Sequence, residues 1–256
     1  KISMSKEKEP VYWNNKSFNR FTDFEISRYS NLFENGSLIK GESTTSYMYY
    51  DNFIKNIKDN FQEYPKFIFI LRNPIDRYVS HFNWMKGLGI EKRSIDEMIR
   101  EDKLADFQEY DDYPKQYYQF GLYNKWISRF IENFGIENIK IVTFEKLISD
   151  RLSVVNDCFD FLGVERLNKI ENIKSNKTNK IIFPTIYHFL RKSSTGKMKF
   201  TKITKYFIPM KIRIKIKNLI KKIIQNWIKI DSQNQIISEN QREILRDRYY
   251  LSLIHI

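Results

Sequence analysis

The chain has 256 residues, 41% of them hydrophobic and 16% aromatic, enough to bury one substantial core and to exclude a disordered chain. Its formal charge of +13 is local: residues 191–230 hold thirteen Lys and Arg and no acid, and without them the remaining 31 basic residues equal the 31 Asp and Glu. That distribution excludes a surface coated for nucleic acid and points to one anionic partner or surface.

Residues 1–40 mix aromatic and polar residues without a clean period, apart from a short helical stretch near 21–33, and predict a loop-rich opening. In residues 51–62, Phe53, Ile54, Ile57 and Phe61 fall on one helical face, and Pro65 stops the pattern. Residues 67–71, FIFIL, form an apolar run without alternation, as a parallel strand covered on both faces requires. Asn73 then reads as a helix N-cap, with Pro74 at the first helical position and Asp76 in the first turn, and the helix should run to about Lys86.

A longer amphipathic helix is predicted over 115–133, where Tyr118, Leu122, Trp126, Phe130 and Phe134 recur every four residues and Gly135 ends the run. Residues 139–144 predict a second strand, and 154–162 a helix closed by Gly163. Cys158, the single cysteine, sits in that helix among apolar neighbours and reads as an inert thiol. Residues 172–184 predict a polar loop. Beyond Pro209, Ile216, Leu219, Ile220, Ile223, Ile224, Trp227 and Ile228 form a helical stripe with lysines opposite, a basic amphipathic helix. Strands alternating with helices define an α/β domain with a central parallel sheet, expected to span residues 1–250. No apolar run nears the roughly 20 residues that cross a bilayer, and no signal peptide is visible, so a soluble cytoplasmic domain is expected.

A strand that delivers Arg72 into a capped helix sets a guanidinium at the carboxyl edge of a sheet, where open α/β folds bind ligands. The helix N-terminus offers unpaired N–H groups, and an arginine grips phosphate through two parallel hydrogen bonds. Ser80 lies seven residues beyond Asn73, nearly two turns, on the same helical face. Arg72 and Ser80 together could hold one phosphate. Local physics leaves a second reading open, in which Arg72 pairs with Asp76 or Glu42 and Ser80 packs.

The string LRNPIDRYVSHF, residues 71–82, resembles the 3'-phosphate motif of sulfotransferases that use 3'-phosphoadenosine 5'-phosphosulfate (PAPS), in the branch containing the heparan sulfate N- and O-sulfotransferases and bacterial relatives. MSKEKEPVYW, residues 4–13, is similar to that family's Lys-Glu-Pro-His-Phe-Phe segment, and GESTTSY, residues 41–47, to its Gly-Glu-Lys-Thr/Ser-Pro-x-Tyr segment. GLYNKWISRF, IKIVTFEKLISD and CFDFLGV resemble its later helix, strand and Phe-Leu-Gly turn, in the same order.

The resemblance implies a three-layer fold related to P-loop proteins, PAPS as co-substrate without a metal, and 3'-phosphate contacts from Arg72 and Ser80. It makes Glu9 the base that takes the acceptor's proton. Two positions depart from the family: its histidine after that Glu is Val11 here, and the lysine of its Gly-Glu-Lys segment is Ser43. The family's first strand and 5'-phosphosulfate loop would lie upstream of Lys1. Residues 251–256, LSLIHI, read as the translation of a sequencing adapter. The expectation is a fragment that binds adenosine 3',5'-bisphosphate weakly and does not turn over alone.

The implied acceptor is a carbohydrate, such as an acidic glycan or glycolipid, with peripheral membrane contact through residues 209–230 and no nucleic-acid partner. Two rivals stand beside this reading. One is a P-loop kinase or NTPase, although no G-x-x-x-x-G-K-[ST] occurs. The other is a membrane-surface binding module built on the basic helix.

Overall fold

A computed structural model describes residues 2–14, 22–37, 39–102, 115–170, 179–181, 228–230 and 236–253. Two parallel strand pairs carry the architecture. Strand β1 (Ile2–Met4) pairs with β2 (Ile39–Gly41), and β3 (Phe67–Leu71) pairs with β4 (Ile139–Thr143) in the register Phe67↔Ile139 to Leu71↔Thr143. Parallel pairs need crossovers. Helix α1 (Asp23–Ser30) lies in the first. Helices α3 (Pro74–Gly87), α4 (Ile95–Asp102) and α5 (Tyr123–Phe134) lie in the second, and α2 (Asp51–Asn60) joins the two pairs. After β4 come α6 (Phe144–Ser149) and α7 (Arg151–Leu162), and the described chain ends in α8 (Glu239–Leu253).

Two apolar clusters fix these elements. In the first, Phe53 and Ile57 of α2 and Trp126, Phe130 and Phe134 of α5 bury against Phe67 and Phe69 of β3. Phe130 meets Phe53, Phe67 and Phe69 with ring centroids 4.9–5.7 Å apart. In the second, Tyr78, Phe82 and Met85 of α3 pack on Met98 of α4, Tyr117, and Leu245 and Tyr249 of α8. Each side chain buried this fully contributes about 1.5–3 kcal/mol, so α3 is clamped along the face opposite its solvent side.

Several expectations are corrected. Among the described residues β3 is covered on one face: Phe67, Phe69 and Leu71 meet the aromatic cluster, while Ile68 and Ile70 are 37% and 57% exposed. The helix expected over 115–133 begins at Tyr123, after a short 3-10 turn at Gln119–Gly121. Tyr249 packs so closely on Gly121 that a Cβ there would lie 2.7 Å from its ring, and this long-range contact overrides the helical period. Helix α7 starts three residues earlier than expected because Asp150 caps it, accepting from the Ser153 N–H at 3.2 Å. The expected loop-rich opening holds β1 and β2, whose pairing across 37 residues no local pattern announces.

Within the expected loop 172–184, Asn179–Ile181 forms β5, antiparallel to β6 (Ile228–Ile230). Ile228, placed by periodicity at the end of the basic helix, is thus in a strand. The rest of that helix, Trp227 included, and the basic segment 191–227 lie outside the described residues, as do residues 254–256 of the expected adapter. Among the described residues, no helix is long and apolar enough to cross a membrane.

Candidate functional site

Arg72 leaves the carboxyl end of β3 and Asn73 caps α3, its side-chain oxygen accepting from the N–H groups of Ile75 (3.0 Å) and Asp76 (3.3 Å) with Pro74 at the first helical position. Two other elements, α5 and α6, lock this corner. The Asn73 N–H donates to the Glu145 carboxylate at 2.8 Å, the Tyr123 hydroxyl donates to the Arg72 carbonyl at 2.8 Å, and the Arg72 guanidinium lies 5.4 Å from the Phe144 ring centroid. The sequence segments containing Arg72, Tyr123 and Phe144–Glu145 therefore meet at one point.

The backbone of Arg72 is fixed, and its guanidinium has no ion pair among the described residues. Both carboxylates considered as its partners are engaged elsewhere. Asp76 accepts from Arg242 at 3.2 Å, and Glu42 accepts from three hydroxyls. Ser80 is exposed two turns into α3, on the side away from the buried face, with its hydroxyl making no hydrogen bond among the described residues. Arg72 thus precedes the capped start of α3 and Ser80 lies two turns beyond it, and neither side chain has a polar partner among the described residues. A guanidinium at the positive end of a helix dipole suits a phosphate.

The second arginine of the motif has a different environment. Arg77 points into the molecule, donates to the Tyr117 carbonyl, and lies among Tyr49, Tyr123 and Tyr249. Its role is to hold α3 to the segment before α5.

Glu9 occupies another corner. The parallel pairing of β1 with β2 brings the segments following Met4 and Gly41 side by side, and the Thr45 hydroxyl donates to the Glu9 carboxylate at 3.0 Å. Glu9 and Val11 have φ of 50° and 52°, the two non-glycine residues with positive φ among those described. Left-handed backbone costs on the order of 1–3 kcal/mol per residue, and a β-branched valine is an outlier there. Glu9 is exposed and makes no direct contact with Arg72 or Ser80 among the described residues.

The sequence reading missed Glu42. Half-buried behind this loop, it accepts from Tyr29 (2.8 Å), Tyr47 (3.0 Å) and Thr44 (3.2 Å), and burial raises its pKa while those hydroxyls partly oppose the shift. The hydroxyl-rich string after it, STTSY, was the available signal. Tyr123 and Glu145 were missed as well, because they reach Arg72 and Asn73 only through the tertiary fold.

Parallel strands flanked by helices, with an arginine at a strand's carboxyl end entering a capped helix, define an α/β domain of the P-loop-like kind. A family model described as the sulfotransferase domain matches residues 46–229, most of the chain, and the protein belongs to that family. The match contains Arg72 and Ser80; Glu9 and Glu42 precede it. The chain is similar to a solved sulfotransferase from Alicyclobacillus acidocaldarius, with 25% identity, a TM-score of 0.54, and 74% of this chain and 79% of that one covered. It is more distantly similar to the sulfotransferase domain from the curacin biosynthetic pathway, at 18% identity and a TM-score of 0.35 over 52% of this chain and 41% of that one. No curated protein matches the chain. Membership makes the protein a transferase of sulfuryl groups.

Proposed function

We propose that the protein moves a sulfuryl group from PAPS to a hydroxyl or amine of a carbohydrate acceptor, in the manner of the heparan sulfate branch. Arg72 and Ser80 hold the 3'-phosphate of the donor. The observation that carries this reading is the Arg72 guanidinium, held at its base by bonds from α5 and α6 and without an ion pair among the described residues.

The acceptor oxygen or nitrogen attacks sulfur, the bond from sulfur to the 5'-phosphate oxygen breaks, and Glu9 takes the acceptor's proton. The products are a sulfated acceptor and adenosine 3',5'-bisphosphate. Charge builds on the leaving phosphate, so stabilisation and alignment dominate the catalytic work. An acidic glycan or glycolipid suits the basic segment 191–230, which also gives a cytoplasmic protein a way to rest on an anionic membrane.

The test is thermal stabilisation of the protein by adenosine 3',5'-bisphosphate, followed by transfer from radiolabelled PAPS to heparosan, chondroitin, lipooligosaccharide and simple phenols. Stabilisation with label appearing in a glycan supports the reading. Stabilisation by ATP instead would move the protein to the P-loop kinase class, and label appearing only in phenols would remove the carbohydrate.

A further inference from the structure

The strained loop after β1 is held from one side. The Val11 N–H donates to the Thr44 hydroxyl at 3.4 Å, the Trp13 N–H donates to the Tyr47 hydroxyl at 3.2 Å, and the Thr45 hydroxyl donates to Glu9 at 3.0 Å. Two of these hydroxyls pass the interaction on to one carboxylate. Thr44 donates to Glu42 at 3.2 Å and Tyr47 sits 3.0 Å from both of its oxygens, while Tyr29 supplies a third hydroxyl at 2.8 Å. A hydroxyl that accepts a backbone N–H and donates to a carboxylate is polarised at both ends, so such a chain is stronger than its separate links.

Glu42 has no cationic partner among the described residues; its contacts are these three hydroxyls. A half-buried carboxylate without a cation is costly to desolvate, and the network it anchors ends on the amides of Val11, one of the two residues whose backbone is strained, and of Trp13. Strain of that kind persists where the surroundings over-determine it.

We infer that Glu42 is the positioning residue of this corner: through Thr44 and Tyr47 it holds the loop at Glu9–Val11 in its left-handed form, and so sets the Glu9 carboxylate against the acceptor. The inference rests on the reading of Glu9 as base. Glu42 touches neither donor nor acceptor, and acts through the amides of Val11 and Trp13. Replacing its carboxylate by an amide turns one oxygen into a donor that faces hydroxyl donors, and the loop relaxes towards negative φ.

Hydrogen–deuterium exchange tests the holding step directly. In Glu42→Gln the amides of Val11 and Trp13 should exchange at least tenfold faster, with those of α5 unchanged; equal rates at Val11 and Trp13 overturn the inference. Steady-state transfer from PAPS to heparosan by the full-length protein tests the positioning step. In Glu42→Gln, kcat should fall at least tenfold with KM for PAPS within twofold, and the Glu9→Gln/Glu42→Gln double variant should be no slower than Glu9→Gln alone. Multiplying losses would show that Glu42 acts independently of Glu9 and overturn it.

Should Glu42→Gln fail to fold, Thr44→Val cuts the relay to Val11 alone. It should speed exchange at Val11 with exchange at Trp13 unchanged and lower kcat several-fold, and wild-type exchange at Val11 would overturn the inference. A Glu9→Gln protein that turns over at the wild-type rate would instead remove the base assignment. The exchange measurement would then still decide whether Glu42 holds the loop.

Discussion

Arg72 and Arg77 lie five residues apart in one motif, and the molecule treats them in opposite ways. Arg72 stands at the solvent edge with its backbone fixed and its guanidinium free of ion pairs among the described residues. Arg77 turns inward on the next turn of the same corner, donates to the Tyr117 carbonyl and is surrounded by tyrosines. The other charges of that inner side are also answered by the chain: Glu91 accepts from Arg93 and Tyr117, and Asp102 accepts from the Tyr118 N–H. A charge paired internally supports the fold, whereas a charge positioned but unpaired is available to a ligand.

The largest effect should come from the inner arginine. Arg77→Ala removes the donor to Tyr117 and leaves a void against Tyr49, Tyr123 and Tyr249, at a cost of about 3–4 kcal/mol in urea unfolding. Arg77→Met keeps most of the volume and should cost about half as much. If Arg77→Ala left stability unchanged and removed nucleotide binding, the division between the two arginines would be wrong.

Next in size is the pH dependence of the inner side. Burial raises the Asp102 carboxyl to about 6, against the backbone N–H of Tyr118, which lowers it. The folded chain then holds that proton more tightly than the unfolded chain, so stability should rise as pH falls from about 6 to about 4, by up to about 3 kcal/mol. Glu91 acts in the opposite sense. Desolvation raises it, but hydrogen bonds from Arg93 outweigh that and hold it at about 2, so its stabilisation is lost as pH falls from the ordinary glutamate range through about 2. Unfolding followed across pH should show a maximum in mild acid, and Asp102→Asn should remove the rise between 6 and 4.

The outer arginine should behave in the reverse way. Arg72→Ala should cost adenosine 3',5'-bisphosphate about 1.5–3 kcal/mol of affinity, roughly 10- to 150-fold. It should change folding stability by less than about 0.5 kcal/mol, because the side chain gives up only its contact with Phe144. Calorimetry and urea unfolding on the same variant separate the two. Between the arginines sits Asn73, whose cap on α3 is worth about 1 kcal/mol. Asn73→Ala should lower stability by that amount while Asn73→Asp retains it.

Much of the outer corner was legible in the sequence. Its pieces are contiguous, strand, arginine, cap, proline and helix, and each has a local physical signature. What surrounds it was not. Tyr123 reaches Arg72 from 51 residues away and Glu145 reaches Asn73 from 72, and nothing in their own neighbourhoods announces those contacts. The β1–β2 pair behind Glu9 consists of three-residue strands, too short for a period to be seen. Helices α4 and α8 are a different case. Ser94 and Glu97 form a reciprocal cap at 2.7 and 3.2 Å, and Ser238 and Gln241 do so at 2.8 and 3.2 Å. The S-x-x-E/Q signature was present in both and overlooked because their apolar faces are short.

The smallest predicted effect is the most selective. Ser80 is exposed and its hydroxyl makes no hydrogen bond among the described residues, so Ser80→Ala should leave urea unfolding unchanged and remove one hydrogen bond to the phosphate. The affinity for adenosine 3',5'-bisphosphate should fall by about 0.5–1 kcal/mol, roughly two- to sixfold. The affinity for adenosine 5'-monophosphate, which lacks the 3'-phosphate, should stay the same. An equal loss for both nucleotides would put Ser80 elsewhere in the site, and no loss for either would leave Arg72 to hold the 3'-phosphate alone. In both cases the outer stripe of α3 would stop at its first turn, and the contrast between its two faces would shrink to the single residue that enters the helix.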